Sequence, residues 1–142
     1  MKKLMFLSTL VVFILTLSSC KKDNRDRSDS SLIGKWQVNT FFSVELVIYP
    51  KNNDYTPLLE FQEDGFYVLS LDINSCGGGY HLLGDGIIEC STVACTKMCC
   101  DSQFSQKLVV MLPQIQSFAI EGQTLKLNVP DWGWIELSRV SD

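Results

Sequence analysis

The chain has 142 residues, a formal net charge of −4 and 46% hydrophobic residues, with six cysteines and one histidine. This length suits one domain with a tail, and the acidic balance argues against nucleic acid as a partner. A single histidine excludes sites that need two or more imidazoles, such as His-rich zinc sites.

Residues 1–19 have the features of a signal peptide. Two lysines precede an uncharged apolar run at 4–17, which is shorter than the about 20 apolar residues that a membrane-spanning helix needs. The run ends in Leu17-Ser18-Ser19-Cys20, which resembles the lipobox of bacterial lipoproteins, where the cysteine is acylated and becomes the first residue of the mature chain. We therefore predict a lipoprotein signal peptide over 1–19 and lipid attachment at Cys20, which would hold the protein on a bilayer.

Residues 20–31 comprise Cys20 and a charged stretch without apolar side chains. Such a stretch cannot bury surface to offset the entropy of ordering, so we predict a disordered tether. Lys21, rather than an aspartate, follows Cys20, and this resembles the outer-membrane sorting pattern of Gram-negative bacteria. We expect an outer-membrane lipoprotein of the cell envelope; a periplasm-facing and a surface-exposed placement both stay open.

Residues 32–142 are predicted to form one β-rich domain. Short runs of alternating, β-branched or aromatic residues favour strands. These runs lie at 32–38, 44–49, 58–61, 66–71, 80–83, 87–90, 115–120, 124–129 and 134–137. Asp64-Gly65 and Gly84-Asp85-Gly86 between such runs are typical of hairpin turns.

Residues 101–112 are predicted to form a single α-helix, because their apolar residues recur on one face. These residues are Phe104, Leu108, Met111 and Leu112. Asp101 or Ser102 can cap the start of the helix, and Pro113 ends it. The predicted fold class is therefore α+β and mostly β: a small antiparallel sheet of seven or eight strands, curled or closed into a barrel, with one helix.

Five cysteines remain in the domain: Cys76, Cys90, Cys95, Cys99 and Cys100. An oxidising envelope compartment favours disulfides, and five thiols allow at most two bridges. Cys90 with Cys95 would close a short loop, Cys76 with Cys99 or Cys100 a longer one, and the sequence alone leaves the pairing open. A thiolate metal site is the alternative, but the spacing matches no familiar ligand pattern, so we expect no metal and no cofactor.

Three aromatic residues are candidates for a binding surface. Trp132 and Trp134 are two residues apart and are expected on one side of a strand, and with Tyr80 they could stack on a sugar or an apolar ligand. The alternative is that they fill the core. Glycines 77–79 are expected in a tight turn or bulge, and His81 in a strand. No nucleophile, acid and base form a set, so we expect no catalytic residue and no enzyme.

The order of several motifs resembles one family. The motifs are Leu32-x-Gly34-x-Trp36, Leu59-Glu60-Phe61, Cys76-Gly77-Gly78-Gly79-Tyr80, Thr96-Lys97-Met98-Cys99-Cys100 and a final hairpin over 118–127. Together they resemble the META domain family, also called HslJ-like, found in envelope lipoproteins. This resemblance covers 32–137 and implies a small β-rich fold with one helix, without an established enzyme activity or cofactor. It also points to a bridge from Cys76 to Cys99 or Cys100.

Two hypotheses for the function follow. The first is a non-enzymatic, lipid-anchored envelope protein, a monomer that supports envelope integrity or stress tolerance through contacts with an envelope protein or ligand. The alternative is a lipocalin-like carrier of a small apolar ligand, because Gly34-x-Trp36 also resembles the lipocalin signature. A carrier would need a sizeable apolar cavity inside its barrel.

Overall fold

The computed structural model describes residues 31–141, so the predicted signal peptide, Cys20 and nearly all of the predicted tether lie outside the described residues. The strands are β1 Gly34–Ser43, β2 Leu58–Phe61, β3 Phe66–Ser70, β4 Ser75–Gly84, β5 Ile87–Cys90, β6 Ala94–Cys95, β7 Ser117–Glu121, β8 Thr124–Val129 and β9 Gly133–Arg139. The α-helix α1 spans Gln103–Met111 and continues into a 3₁₀ turn, Leu112–Gln114. The predicted α+β, mostly β fold class is confirmed.

The strands form one antiparallel sheet that curls into a ring. Eight of them follow one another in the order β3-β2-β1-β9-β8-β7-β5-β4, and β3 also pairs with β4. Strand β4 is long enough for two neighbours, because its first half pairs with β3 and its second half with β5. The two-residue strand β6, which the sequence did not predict, pairs with the first half of β4 on the edge opposite β3. The ring therefore encloses a single interior.

Large apolar side chains fill that interior. Along β8 every second side chain is buried, as expected for a strand with one face in a core. The largest fully buried side chains are Trp36, Tyr67, Phe61, Leu32, Leu59, Leu69, Ile88, Leu108, Leu112, Leu125, Leu127 and Ile135. The packed interior differs from the cavity that the carrier hypothesis requires. Within residues 31–141, no helix has the length and apolar character needed to span a membrane.

Helix α1 begins and ends close to its predicted bounds. The Ser102 hydroxyl accepts a hydrogen bond from the Ser105 backbone N–H at 3.3 Å, which satisfies one of the free donors of the first turn. Phe104, Leu108 and Met111 lie on the buried face and join the core. Pro113 lies in the 3₁₀ turn that follows the α-helix. The helix thus attaches to the sheet through one apolar stripe.

The glycines at 77–79 lie inside strand β4, so the predicted turn or bulge is wrong. A Cβ atom on Gly78 would lie 2.5 Å from the Tyr67 hydroxyl, whereas on Gly79 its nearest neighbour would be 3.7 Å away. The Tyr67 ring is buried and crosses directly over Gly78. The glycine therefore serves close approach within a strand rather than a change of chain direction.

The predicted strand at 44–49 is absent. Strand β1 is paired on one side with β2 and on the other with β9, and it ends at Ser43. Beyond that point, the Val44 N–H donates to the Trp132 carbonyl at 2.9 Å, and residues 46–50 have no regular structure. The local sequence favours a strand, but a strand needs a neighbour for its hydrogen bonds, and the described residues supply none there.

Candidate functional site

The connection after β1 presents an exposed row of aliphatic side chains. Val44, Leu46 and Ile48 have 74%, 103% and 89% of their reference areas exposed. Glu45 and Tyr49, which alternate with them, are only partly exposed. Val47 is also 57% exposed, so Glu45 and Tyr49 turn toward the domain while the aliphatic side chains between and before them face solvent. We call Val44, Leu46 and Ile48 the aliphatic face.

Glu45 fastens this segment to the domain. Its carboxylate accepts a hydrogen bond from the Tyr49 hydroxyl at 2.5 Å, and its other oxygen lies 3.0 Å from the Lys107 ammonium on helix α1. These two side chains and the indole of Trp132 lower the pKa of Glu45 to about 2, with the Tyr49 hydrogen bond as the largest cause. The Trp132 indole N–H also favours the ionised form of Glu45, although it makes no hydrogen bond of ordinary geometry.

Lys107 on helix α1 also contacts the two aromatic rings that lie around Glu45. Its ammonium lies 5.2 Å from the centre of the Tyr49 ring and 5.3 Å from that of Trp132, which is within reach of cation–π attraction. Partial burial opposes the charged form, but the hydrogen bonds to Glu45 and Tyr49 prevail and raise the pKa of Lys107. Glu45 is therefore ionised and Lys107 protonated at neutral pH, so this pair suits fastening rather than proton transfer.

A cleft of about 440 Å³ lies between the 44–51 segment, the end of β1 and helix α1. Phe41 and Phe104 stack in its wall, with ring centres 4.2 Å apart. The Lys51 ammonium lies 4.4 Å from the centre of the Phe104 ring and donates to the Asn39 carbonyl. Desolvation lowers the pKa of Lys51. The start of helix α1 also holds the segment, because the Phe104 N–H donates to the Pro50 carbonyl at 3.1 Å.

The three aromatic residues predicted as a binding surface do not come together. Tyr80 is buried, and its hydroxyl donates to the Gln62 carbonyl at 2.6 Å. Trp132 is buried just before β9, whereas Trp134 lies on β9 and stacks on the exposed ring of Phe42 at 4.8 Å. The prediction that both tryptophans share one side of a strand is wrong, because the strand starts between them. Of the buried residues Tyr80 and Trp132, Trp132 also lies beside Glu45 and lowers its pKa.

The structure contains one disulfide among its described cysteines, between Cys76 and Cys95. Cys95 lies directly opposite Cys76 because β6 pairs with β4. The predicted pairings of Cys90 with Cys95, and of Cys76 with Cys99 or Cys100, are therefore wrong. Cys99 and Cys100 are free and exposed, and Cys90 is a half-buried thiol whose pKa burial raises to about 12.

Asn74 explains why Cys99 and Cys100 stay away from Cys76. Its side chain donates to the Met98 carbonyl at 2.7 Å and accepts from the Met98 N–H at 2.8 Å. It also donates to the Asp101 carboxylate at 2.6 Å. The buried amide thus fixes both ends of a turn that leaves the two thiols in solvent.

The remaining predicted groups lie apart from the aliphatic face and its fastening. His81, expected in a strand, is an exposed residue of β4, and Asp64 of the predicted hairpin turn is exposed between β2 and β3. Across residues 31–141, no group of three or more His, Cys, Asp or Glu side chains is arranged to hold a metal ion. None of these residues extends the site at the end of β1.

Sequence reasoning missed Glu45, Tyr49 and Lys107. A local signal existed in Glu45 and Tyr49, whose polar groups stand four residues apart on either side of the aliphatic run Leu46-Val47-Ile48. Lys107 carried no such signal, because 62 residues separate it from Glu45. Only the fold brings it to the carboxylate.

The fold and the site define a class: a small β-rich domain with a packed interior, one helix and an exposed aliphatic segment fastened at one end. The family model of the META domain matches residues 30–139, and the chain belongs to that family. The resemblance predicted from the motifs is thus confirmed. A comparison with functionally curated proteins gives no match.

Two solved structures share the fold. A protein from Burkholderia xenovorans, determined by NMR, is 15% identical with a TM-score of 0.66, and the match covers 80% of this chain and 86% of that one. A DUF4847 family protein from Bacteroides vulgatus ATCC 8482, known from a 1.00 Å crystal structure, is 15% identical with a TM-score of 0.57. That match covers 77% of this chain and 94% of the other. At this level of identity the likeness concerns the fold.

Proposed function

We propose that the chain is a non-enzymatic, lipid-anchored protein of the bacterial outer membrane, whose META domain supports envelope integrity or stress tolerance through contacts. The lipobox-like sequence ending at Cys20 supports the anchor. The observation that carries the contact role is the aliphatic face. Soluble domains rarely expose neighbouring large apolar side chains without an interaction that covers them.

The fastening of the segment supports the same role. An aliphatic loop without anchors would collapse onto the domain or fray, but here Glu45 and Pro50 tie it to helix α1 on both sides of Leu46 and Ile48. The face is therefore presented in one conformation before any partner arrives, which reduces the entropic cost of binding. The filled interior gives no support to the carrier alternative.

Membrane fractionation of a Cys20→Ala variant tests the anchor. We expect wild-type protein in the membrane fraction and the variant in the soluble fraction, because the variant cannot receive its acyl chains. Cys99→Ala is the matched control and should stay with the membrane, since Cys99 is an exposed domain cysteine. A Cys20→Ala protein that stays with the membrane as wild type does would refute the anchor.

Envelope sensitivity to detergent tests the contact role. Cells with Leu46→Asp/Ile48→Asp should become as sensitive as cells lacking the protein, whereas Leu83→Asp should behave as wild type. Leu83 is 60% exposed on β4 and serves as an equally apolar control away from the face. Equal tolerance of the face variant and wild type would remove the contact role from this surface.

A further inference from the structure

The cleft beside helix α1 contains an ammonium group that has no carboxylate partner. Lys51, which lines the cleft, donates to the Asn39 carbonyl and lies 4.4 Å from the centre of the Phe104 ring. The ion pairs that the structure shows within residues 31–141 are formed by other lysines. An ammonium has three donors, so the single bond to Asn39 leaves donors available to an acceptor in the cleft.

The Lys51 ammonium is also partly withdrawn from water. Desolvation lowers its pKa, and no carboxylate of the described residues raises it in return. Withdrawing a charge from water costs free energy unless an opposite charge compensates it, and the Phe104 ring compensates only in part. Glu45 lines the same cleft, but its charge is already compensated by Lys107 and by the Tyr49 hydroxyl. The charge left uncompensated in the cleft is therefore positive, which favours an anion.

The other walls of the cleft are largely apolar. Phe41 stacks on Phe104, and its ring meets the Tyr49 ring edge-on with centres 6.0 Å apart. Val47 and Ile48 line the cleft with side chains that are largely exposed. Its volume of about 440 Å³ lies within the roughly 300–1,000 Å³ of small-molecule sites, which combine apolar walls with a few polar groups. An anion that fits this cleft therefore carries an apolar body.

We propose that this cleft binds a small carboxylate with an apolar body. The carboxylate accepts charge-assisted hydrogen bonds from the Lys51 ammonium, and the body lies against Phe41, Val47 and Ile48. Binding restores a counter-charge to the lysine and removes exposed apolar surface from water. The site lies outside the ring of strands, so it does not need the internal cavity of a carrier. It depends neither on the lipid anchor nor on the contact role.

Titration with hexanoate, followed by amide chemical shifts, tests the site. The protein is the ¹⁵N-labelled full chain with Cys20→Ala, at neutral pH. We expect saturable shifts at Tyr49 and Lys51, while the amides of Leu125 and Leu127 on β8 stay in place. Acetate and hexanol each lack one half of the ligand, the apolar body or the carboxylate, and should bind at least several-fold more weakly.

Substitutions at Lys51 separate charge from shape. Lys51→Met keeps the apolar stem and should weaken hexanoate binding by about tenfold or more while leaving hexanol binding unchanged, because only hexanoate loses a charge-assisted bond. Lys51→Arg keeps the charge and should keep the preference for hexanoate over hexanol. Lys97→Met removes an exposed lysine that does not line the cleft and should behave as wild type.

Three results would overturn the proposal. The first is the absence of saturable shifts at Tyr49 and Lys51 at tens of millimolar hexanoate. The second is equal affinity of the wild-type cleft for hexanoate and hexanol, since the carboxylate would then contribute nothing. The third is an equal loss of hexanoate and hexanol binding in Lys51→Met, or no loss of either, because the lysine would then shape the cleft or lie outside the site.

Discussion

At the scale of single residues, Glu45 is the side chain of the site whose ionised form its neighbours stabilise. A tyrosine hydroxyl, an indole and an ammonium from helix α1 all favour its ionised form. Glu121 provides a contrast, because its ion pair with Lys126 has the same 3.0 Å length but lies in solvent. Exposed pairs of that kind contribute little to stability. Glu45 differs in that its ion pair joins two distant parts of the chain.

The Glu45→Gln variant should lose stability in a pH-dependent way. The folded pKa of about 2 lies below the ordinary glutamate pKa of 4.5, so the stabilisation is fully present above pH 4.5 and is lost as the pH falls toward 2. Urea unfolding at several pH values measures it: the gap between wild type and variant should be largest near neutral pH and shrink below pH 4.5. Glu121→Gln, the control, should differ from wild type by less than about 0.5 kcal/mol. A pH-independent gap for Glu45→Gln would contradict this account.

The cysteines differ in reactivity for physical reasons that alkylation can measure. Cys99 and Cys100 are exposed, whereas burial raises the pKa of the Cys90 thiol to about 12 and leaves little thiolate at pH 8. We expect rapid iodoacetamide labelling at Cys99, slower labelling at Cys100, because its hydrogen bond with Cys99 raises the pKa of Cys100, and slow labelling at Cys90. We also expect a non-reduced peptide that joins Cys76 to Cys95. A peptide that joins Cys76 to Cys99 or Cys100 would show that the β4–β6 register is wrong.

At the scale of elements, the sequence correctly predicted the helix and the hairpin, because these form through interactions between residues close together in the chain. The β2–β3 hairpin follows from Asp64-Gly65 between two apolar runs, and helix α1 follows from its apolar stripe and the Ser102 cap. Where an element depends on a distant neighbour, the sequence was insufficient. The strand expected at 44–49 lacks a pairing partner, and β6 exists because β4 lies beside it. Gly78 of β4 likewise leaves room for Tyr67, a residue on another strand.

Two neighbouring glycine substitutions separate close approach from general strand propensity. Gly78→Ala should destabilise by about 1–3 kcal/mol, because the new methyl meets the buried Tyr67 ring at 2.5 Å from its hydroxyl. Gly79→Ala has 3.7 Å of clearance and should be neutral or gain up to about 1 kcal/mol, since alanine loses less entropy in a strand. Urea unfolding of both variants measures the difference. Equal effects would show that Tyr67 does not constrain this strand.

At the scale of the whole molecule, a closed ring of strands leaves one chain segment unpaired. The motif order identified the family, and the β-rich class with one helix followed from patterning. The candidate site required the fold, because Glu45, Lys107 and Trp132 lie far apart in the sequence and meet at one end of the ring. What the ring cannot cover is the aliphatic face, and the proposed anchor would bring that face to other molecules on the same membrane.

Amide hydrogen exchange at Leu46, Val47 and Ile48 tests most directly whether the 44–48 segment is an unpaired contact surface. Measured by mass spectrometry on dilute, full-length Cys20→Ala protein, these amides should exchange rapidly, because their hydrogen-bond partners are missing. In the wild-type protein on native membranes they should be several-fold slower, while the β8 amides of Leu125 and Leu127 stay slow in both. Slow exchange at 46–48 in the dilute protein, or the same rapid exchange on the membrane, would contradict the account.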